Sequence, residues 1–282
     1  MKLDFPVEQT IRKRYSVRTY EERAITEEDK AKLMAYANAL SNPFGVPVTF
    51  HLLETKDASN SQKLGTYGVI KGTKVFLGAT VPAGELSLEA VGYDFEQLIL
   101  YATHLGIGTC WLAATFNRSA FTTAIGVKEA YQFPAISPIG YPKEKKSLTE
   151  SLFRKTLKSN QRKNWSELFF KGNFNTPLTE ADAGEYAFPL EMLRLAPSAT
   201  NKQPWRIVQS NDAYHFYAEI DSGSSEENPV AIQRVDVGIG ANHFHLTALE
   251  KNISGKFEKL ADVEIAAPKN LRYLFSWVPQ KG

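Results

Sequence analysis

The sequence predicts an α+β fold in which one unit of helices and strands occurs twice. The first sign is a helix start of the form Thr-x-x-acid, which occurs at Thr26 and again at Thr179, 153 residues later. The second is an alternating strand at 47–53 that has a counterpart at 204–210. Few residues are identical between the two units, so what repeats is the order and type of the elements and not the amino-acid sequence itself. Chance recurrence of helix and strand is the alternative.

The third observation is a long apolar stretch, 88–106, that ends at a glycine and predicts a buried helix. Its segment 93–108 can be laid on 239–254 with an offset of 146 residues, so a second such helix is expected there. The remaining expected elements of the first half are a helix opened by Thr26, a turn at 41–47, strands at 48–54, 74–80 and 135–142, and a helix near 118–132.

We therefore expect residues 1–282 to form a single domain made of two repeats, 1–165 and 166–282. A basic run at 143–165 separates them, and it is either a linker or a solvated helix. At 282 residues the chain is long enough to bury a sizeable core.

Composition excludes several classes of protein. Lys and Arg number 33 and Asp and Glu 31, a net charge of +2, so the overall charge does not indicate a nucleic-acid-binding or membrane-surface protein. Cys110 is the only cysteine, which excludes an internal disulfide framework and favours a reducing compartment. No apolar targeting segment or spanning stretch is present, so a soluble, cytoplasmic protein is expected.

A cluster of cations stands near the amino terminus. Arg14, Ser16 and Arg18 lie within IRKRYSVRTY, where Tyr15 separates the first two. Guanidinium groups form bidentate, charge-assisted hydrogen bonds, so the cluster suits a phosphate or another anion. A solvated basic segment is the alternative.

Three segments together carry a resemblance to a known family. Arg-x-Ser-x-Arg at 14–18, PSATNKQPWRIV at 197–208, and GIGTCWLAATF at 106–116 followed by SPIGYP at 137–142 are similar to segments of the FMN-dependent nitroreductases. The resemblance implies a nitroreductase-like α+β fold, with a mainly antiparallel sheet flanked by helices. It also implies FMN as cofactor and NADH or NADPH as electron donor.

Family members are expected to be homodimers that hold each flavin between the arginine cluster of one subunit and the Asn-x-Gln-Pro segment of the other. Here the first half reads SNPFGVP at 41–47, without that Asn-x-Gln spacing, and the second half lacks Arg-x-Ser-x-Arg before Leu178. Each half lacks what the other keeps. The chain is thus interpreted as a fused pseudo-dimer, of the TM nitroreductase-like branch, with one working flavin site and a possibility of acting as a monomer.

The resemblance assigns residue roles. Arg14 and Ser16 are expected on the phosphate and ribityl–pyrimidine side of the flavin, together with Tyr15, and Arg18 near N1 and the C2 carbonyl. Asn201 and Gln203 are expected to give amide hydrogen bonds from the other half. Ser198 is expected to form a hydrogen bond with the local backbone and to set the turn.

Residues 111–114 occupy the place where the family presents a backbone N–H to flavin N5, namely Trp111, Leu112, Ala113 and Ala114. Ala113 and Ala114 both remain candidates for the donor, because the family favours glycine here and has one residue fewer before Phe116. Cys110 next to them is expected to be a structural thiol, buried or adjacent to the flavin, rather than a nucleophile, since no base with an orienting partner is evident beside it in sequence.

The family also closes its phosphate site with a basic residue after Gly-Tyr-Pro. Arg162 and Lys163 are the best candidates, with Arg154 and Lys155 as the alternative. No metal site is expected, because His243 and His245 point apart in a helix and are interpreted as core or surface histidines. Rossmann and P-loop nucleotide motifs are absent from the sequence.

The expected function is an FMN-dependent oxidoreductase that takes hydride from NADH or NADPH and reduces a flat aromatic acceptor by ping-pong kinetics. Nitroaromatics, quinones and other flavins are the candidate acceptors, because an open stacking site selects flat, electron-poor rings. No catalytic side chain is required, and no nucleic acid or membrane partner is expected. A flavin carrier or redox sensor without turnover is the alternative, and a fold in which both sites have decayed is a third interpretation.

Overall fold

Two sheets and a pair of long helices organise the chain. The structure is a computed structural model that describes residues 3–55, 65–143, 161–220 and 231–280. Its helices are α1 (Val7–Lys13), α2 (Glu27–Ala39), α3 (Ser87–His104), α4 (Arg118–Ile125), α5 (Trp165–Leu168), α6 (Glu180–Ala183), α7 (Ala187–Arg194) and α8 (Ile232–Glu250). Its strands are β1 (Thr49–Glu54), β2 (Val75–Pro82), β3 (Gly108–Thr109), β4 (Tyr131–Gln132), β5 (Ile136–Gly140), β6 (Phe169–Lys171), β7 (Trp205–Ser210), β8 (Ala213–Glu219), β9 (Gly255–Glu258) and β10 (Leu271–Pro279).

The two helix starts that suggested a repeat have the same cap. Thr26 Oγ1 accepts a hydrogen bond from the Asp29 backbone N–H at the start of α2. Thr179 Oγ1 accepts the equivalent bond from the Asp182 N–H at the start of α6. Each threonine satisfies one of the N–H groups that a helix start leaves without an internal partner. The Thr-x-x-Asp prediction is confirmed in both halves.

The sheets repeat the same strand order. The first runs β1-β2-β5-β3, with β4 pairing to β2, and the second runs β7-β8-β10-β9 with β6 added beside β7. Pairings between these named strands are antiparallel except for β6 with β7. The predicted α+β fold with a mainly antiparallel sheet and an internal duplication is confirmed.

Helices α3 and α8 cross at a pair of glycines. A Cβ added at Gly92 would lie 2.0 Å from the Val235 carbonyl oxygen, and one added at Gly238 would lie 2.1 Å from the Glu89 carbonyl oxygen. Gly238 follows Gly92 by 146 residues, and Val235 follows Glu89 by the same number. The two contacts are therefore related as a two-fold axis relates the contacts of a symmetric dimer, with both halves in one chain.

Apolar residues of the central helices fill the core against both sheets. Val91, Phe95 and Leu98 of α3 pack against β2, and Phe244 of α8 packs against β8 and β10. On its other face the first sheet is covered by α4, whose Phe121 is fully buried. In the described part of the chain, no helix combines the length and the apolar character needed to cross a membrane.

Some predicted boundaries differ from the structure. The helix expected near 118–132 ends at Ile125, because Gly126 adopts the left-handed conformation at φ 68° and ends the helix there. The helix expected at 239–254 begins earlier, at Ile232, and ends at Glu250. Most of the basic run, including Arg154 and Lys155, lies outside the described residues.

Candidate functional site

Arg14 follows the last residue of α1 and turns its side chain into the protein. Its side chain is only 8% exposed, and its Nε lies 3.6 Å from Glu96 Oε1 of α3. The Nε atom is buried and has no hydrogen-bond partner among the described residues. A buried guanidinium without that bond is costly, so the position suits an additional acceptor.

Glu96 joins the two halves of the chain. Its carboxylate is fully buried, and the Trp111 indole Nε1–H donates to Oε2 at 2.6 Å. On the other oxygen, His243 Nε2 of α8 lies 3.0 Å from Oε1, while His243 Nδ1 lies 3.0 Å from the Met192 carbonyl oxygen. One carboxylate thus contacts the arginine cluster, the segment after β3 and the second half.

The loop 198–203 is held in an unusual backbone conformation. Thr200, Asn201 and Gln203 all have positive φ, at 49°, 58° and 50°. Such values are uncommon for residues other than glycine, and they cost free energy that the surrounding contacts must offset. Ser198 Oγ accepts a hydrogen bond from the Gln203 N–H at 2.9 Å, the local backbone bond expected from the sequence.

A helix carboxylate anchors the same loop. Asp236 of α8 accepts a hydrogen bond from the Ala199 N–H at 3.0 Å. Burial raises the pKa of this carboxyl from 3.8 to about 8. The first half has a related anchor, because Asn42 Nδ2 donates to Asp94 of α3 at 2.7 Å. Burial likewise raises the pKa of Asp94, to about 7.

Arg162 connects the loop to the amino-terminal cluster. Its Nη1 donates to Asn201 Oδ1 at 3.3 Å and its Nη2 to the Leu195 carbonyl at 3.0 Å. Burial, together with the positive charges of Arg14 and Arg194, lowers the pKa of Arg162 to about 10. Arg162 thus lies within electrostatic range of Arg14 and bonds the Asn201 loop, so it links two segments that are far apart in the sequence.

Gln203 and Lys163 are bonded to each other next to Asn201. Gln203 is 3% exposed, its Oε1 accepts the Lys163 N–H at 2.8 Å, and its Nε2 donates to the Asn201 carbonyl at 3.2 Å. Lys163 Nζ lies 3.8 Å from Glu219, whose carboxylate Arg206 also contacts. Of the two basic residues expected to close the site, Arg162 is the one beside Arg14. A flavin contact for Gln203 or Lys163 stays a prediction.

The rest of the cluster runs along the edge of the first sheet. Ser16 forms a parallel bridge with Thr109 of β3, and the Val17 N–H donates to the Thr109 carbonyl at 2.8 Å. Tyr15 is 37% exposed, and the Arg18 carbonyl accepts the Lys71 N–H at 2.9 Å. The pairing therefore fixes the backbone at Ser16 and Val17 beside Thr109 of β3.

The segment after β3 is anchored at both ends. Leu112 pairs with Ile136 through two backbone hydrogen bonds of 2.9 Å, and the Ala113 carbonyl accepts Arg118 Nη2 at 2.6 Å. Ala114 is exposed. Cys110 is 2% exposed, which confirms a buried thiol.

The pseudo-symmetric position is filled with aromatic rings. Phe44 lies in the loop 41–47, the counterpart of the Asn201 loop, and its ring centroid is 4.9 Å from Phe275 and 5.7 Å from Phe257. Phe257 follows Trp111 by 146 residues and is its counterpart in the repeat. Tyr93 adds a third ring at 6.0 Å. Side chains thus occupy the place that corresponds to the candidate site.

Glu96 was not predicted as a site residue from the sequence. Two carboxylates, Asp94 and Glu96, inside an otherwise apolar helix were a signal that could have found it, because buried charges need partners. His243 was interpreted as a core or surface histidine, and it is fully buried. His245 points elsewhere and accepts or donates a 2.6 Å hydrogen bond with the Tyr93 hydroxyl.

The chain has two mainly antiparallel sheets of equal strand order, a glycine crossing between their long helices, and cations beside a strained loop that carries amide side chains. These features define the nitroreductase fold in duplicated form. A model of the family described as "Putative TM nitroreductase" matches residues 6–248. The chain belongs to this nitroreductase family, and nitroreductases are oxidoreductases.

The chain is also similar to several known proteins. A crystal structure from Thermotoga maritima MSB8, described as a putative nitroreductase, covers 99% of the chain and 95% of its own length at 20% identity, with a TM-score of 0.62. An Archaeoglobus fulgidus protein named "Putative NADH dehydrogenase/NAD(P)H nitroreductase" is 26% identical over 153 residues, which are 49% of this chain and 86% of that protein. A match that spans most of that protein and about half of this chain fits a duplicated chain. A Bacteroides fragilis NCTC 9343 nitroreductase with bound FMN covers 51% of this chain and 92% of its own length at 19% identity, with a TM-score of 0.42.

Proposed function

We propose that the chain binds one FMN between its two halves and uses it to pass electrons from NADH or NADPH to a flat aromatic acceptor, such as a nitroaromatic or a quinone. The observation that carries the proposal is the Arg14 side chain, which is buried beside Arg162 with an Nε that lacks a hydrogen bond. Two guanidinium groups held close together repel each other, and an anion between them turns that repulsion into attraction.

The donor set fits FMN in kind. Arg14 and Arg162 would hold its phosphate or another anionic edge, and the Arg18 side chain would stabilise negative charge near N1. The Asn201 amide offers both a donor and an acceptor to carbonyl and N–H groups of a ring. Bound FMN would supply reversible two-electron chemistry at its ring.

The surrounding chain limits how these groups can move. Asn201 stays in place because Gln203 and Ser198 bond the backbone of its loop. The segment with Ala113 and Ala114 is pinned by Leu112 and Arg118, so its backbone is presented in a fixed position. Small side chains at 113 and 114 leave room for a ring to approach the main chain.

The first test is the removal of Arg14. Arg14→Ala should release most bound flavin, because the variant loses one of the two buried cations proposed to hold its anionic part. Arg12→Ala is the matched control: Arg12 lies in the same segment, but it is 52% exposed and pairs with Glu8. Absorbance of the purified proteins gives the flavin content. Full FMN occupancy in Arg14→Ala at wild-type affinity would contradict the assigned role.

Anaerobic mixing with NADH or NADPH separates turnover from binding. Rapid bleaching of the yellow protein supports the oxidoreductase, and reoxidation by a nitroaromatic or a quinone identifies the acceptor class. A flavin-loaded protein that neither pyridine nucleotide bleaches would instead be a carrier or redox sensor. A colourless protein that takes up no added FMN would remove the proposal altogether.

Because both halves contribute to the site, one chain suffices to build it. We expect light scattering to give a mass near 31.5 kDa. We also expect a single flavin per chain, since Phe44 and its neighbouring rings occupy the corresponding position in the other half. Two flavins per chain would contradict the assignment of a filled second site.

A further inference from the structure

The Glu96–His243 contact has a counterpart across the pseudo-two-fold axis. Asn242 follows Glu96 by 146 residues, and His243 follows Gln97 by the same number. The axis therefore relates the Glu96–His243 pair to the Gln97–Asn242 pair, in which Asn242 Nδ2 lies 3.5 Å from Gln97 Oε1. One half-site has an acid and a base where the other has two amides. The acid–base pair is on the side of Arg14.

The hydrogen bonds of His243 fix how many protons this pair holds. The Met192 carbonyl can only accept, so His243 Nδ1 must carry a hydrogen. The 3.0 Å contact between Nε2 and Glu96 Oε1 then requires one further proton, either on the imidazole or on the carboxyl. In both arrangements the pair as a whole has no net charge.

We propose that Glu96 and His243 form a net-neutral support that holds Arg14 and Trp111 in place without cancelling the charge of Arg14. The inference rests on the proposed flavin function, because the uncompensated charge is what Arg14 would offer to the anionic part of the cofactor. A lone Glu96 carboxylate at 3.6 Å would neutralise much of that charge. The shared proton prevents this, so Glu96 and His243 are positioning residues.

Other charged groups on the neighbouring elements form ion pairs or hydrogen bonds with residues other than Arg14. Glu89 of α3 forms a bidentate pair with Arg234 of α8 at 2.7 and 2.8 Å. Asp94 accepts from Asn42, and Arg194 of α7 pairs with Glu191. Arg162 adds a second positive charge on the Arg14 side. The charge balance around Arg14 is therefore set by Glu96 and its proton.

The test compares two single substitutions of similar size. His243→Gln leaves Glu96 as a bare carboxylate, and we expect FMN affinity to fall about tenfold or more at pH 7, which is the scale expected for an added charge at this distance. Glu96→Gln removes the carboxylate and keeps Arg14 charged, and we expect affinity within about threefold of wild type. The double variant Glu96→Gln/His243→Gln places two amides here, as the other half-site has, and should recover most of the affinity lost by His243→Gln.

Quenching of flavin fluorescence on titration of the apoprotein gives these affinities independently of turnover. Gln97→Met, at the symmetric pair, is the control, and it should leave FMN affinity unchanged within about twofold because it changes no charge near Arg14. If His243→Gln binds FMN as tightly as Glu96→Gln, or if the double variant is weaker than His243→Gln, the inference is wrong. Failure of the wild-type protein to bind FMN would instead contradict the proposed function.

A second measurement uses the wild-type protein and does not depend on the folding of a variant. In nitrogen-15 spectra of the wild-type protein, His243 should show a protonated Nδ1 and an Nε2 engaged with a shared proton at neutral pH. An Nε2 signal of a free, unprotonated imidazole nitrogen would overturn the proton count.

Discussion

Replacing Gly238 by alanine tests the crossing on which the duplicated architecture depends. The added Cβ would lie 2.1 Å from the Glu89 carbonyl oxygen, and a backbone atom cannot rotate away as a side chain can. Helices α3 and α8 would have to separate by about 1 Å, which loses packing along the interface. Overpacking of this kind costs about 3 kcal/mol, and the better helix propensity of alanine returns about 1 kcal/mol. We expect a net loss of about 2 kcal/mol.

Gly240→Ala is the matched control in the same helix. Its Cβ would lie 3.3 Å from Leu193 Cγ, a side-chain atom that needs to move by only a few tenths of an ångström, so the free energy of unfolding should fall far less than in Gly238→Ala. Urea unfolding followed by circular dichroism and tryptophan fluorescence measures both variants. Gly92→Ala, with its Cβ 2.0 Å from the Val235 carbonyl, should match Gly238→Ala if the two contacts are equivalent. The reasoning is refuted if Gly238→Ala is as stable as Gly240→Ala.

Three further outcomes are expected. The pKa of Asp236 is raised to about 8, so the native state holds a proton that the unfolded state loses near pH 4. The free energy of unfolding should therefore fall as pH rises from 4 to 8. Asp236→Asn should flatten that part of a profile of urea midpoint against pH. Cys110, 2% exposed, should react with a maleimide in native protein far more slowly than in urea, as mass spectrometry can follow. Phe44→Ala should cost roughly 3 kcal/mol of unfolding free energy without weakening FMN binding, and tighter FMN binding or a second bound flavin would show that Phe44 fills the other half-site.

Sequence patterning located the helices and strands of the first half well, because their signals are local. Thr26 marks a cap, and the alternation at 48–54 marks a strand that the structure places at Thr49–Glu54. Strand β8 was not predicted, although Asn211-Asp212 before it is a turn signal. Both residues have positive φ, at 49° and 58°, and the antiparallel β7–β8 pairing begins on either side of them.

The site was predictable only in part, for a physical reason. Motifs name residues that face a ligand, such as Arg14 and Asn201, and a resemblance can carry these over. The Glu96–His243 contact joins residues 147 apart through the crossing of two helices, and no local pattern encodes a crossing. Arg162 was a candidate on chain order alone, and its bond to Asn201 and its interaction with Arg14 distinguish it from Lys163.

The proposed filling of one half-site by Phe44 links fusion with loss of symmetry. In a symmetric dimer any substitution appears at both sites, so a phenylalanine that fills one site fills the other as well. Once two halves share a chain, Phe44 can pack against Phe257 and Phe275 while Asn201 stays beside Arg162. The same freedom lets an amide pair stand at Gln97 and Asn242, where the other half-site has the acid–base pair. Burying aromatic surface around Phe44 adds packing free energy there, and the proposed site around Arg14 and Asn201 forgoes that gain because it keeps buried polar and charged groups.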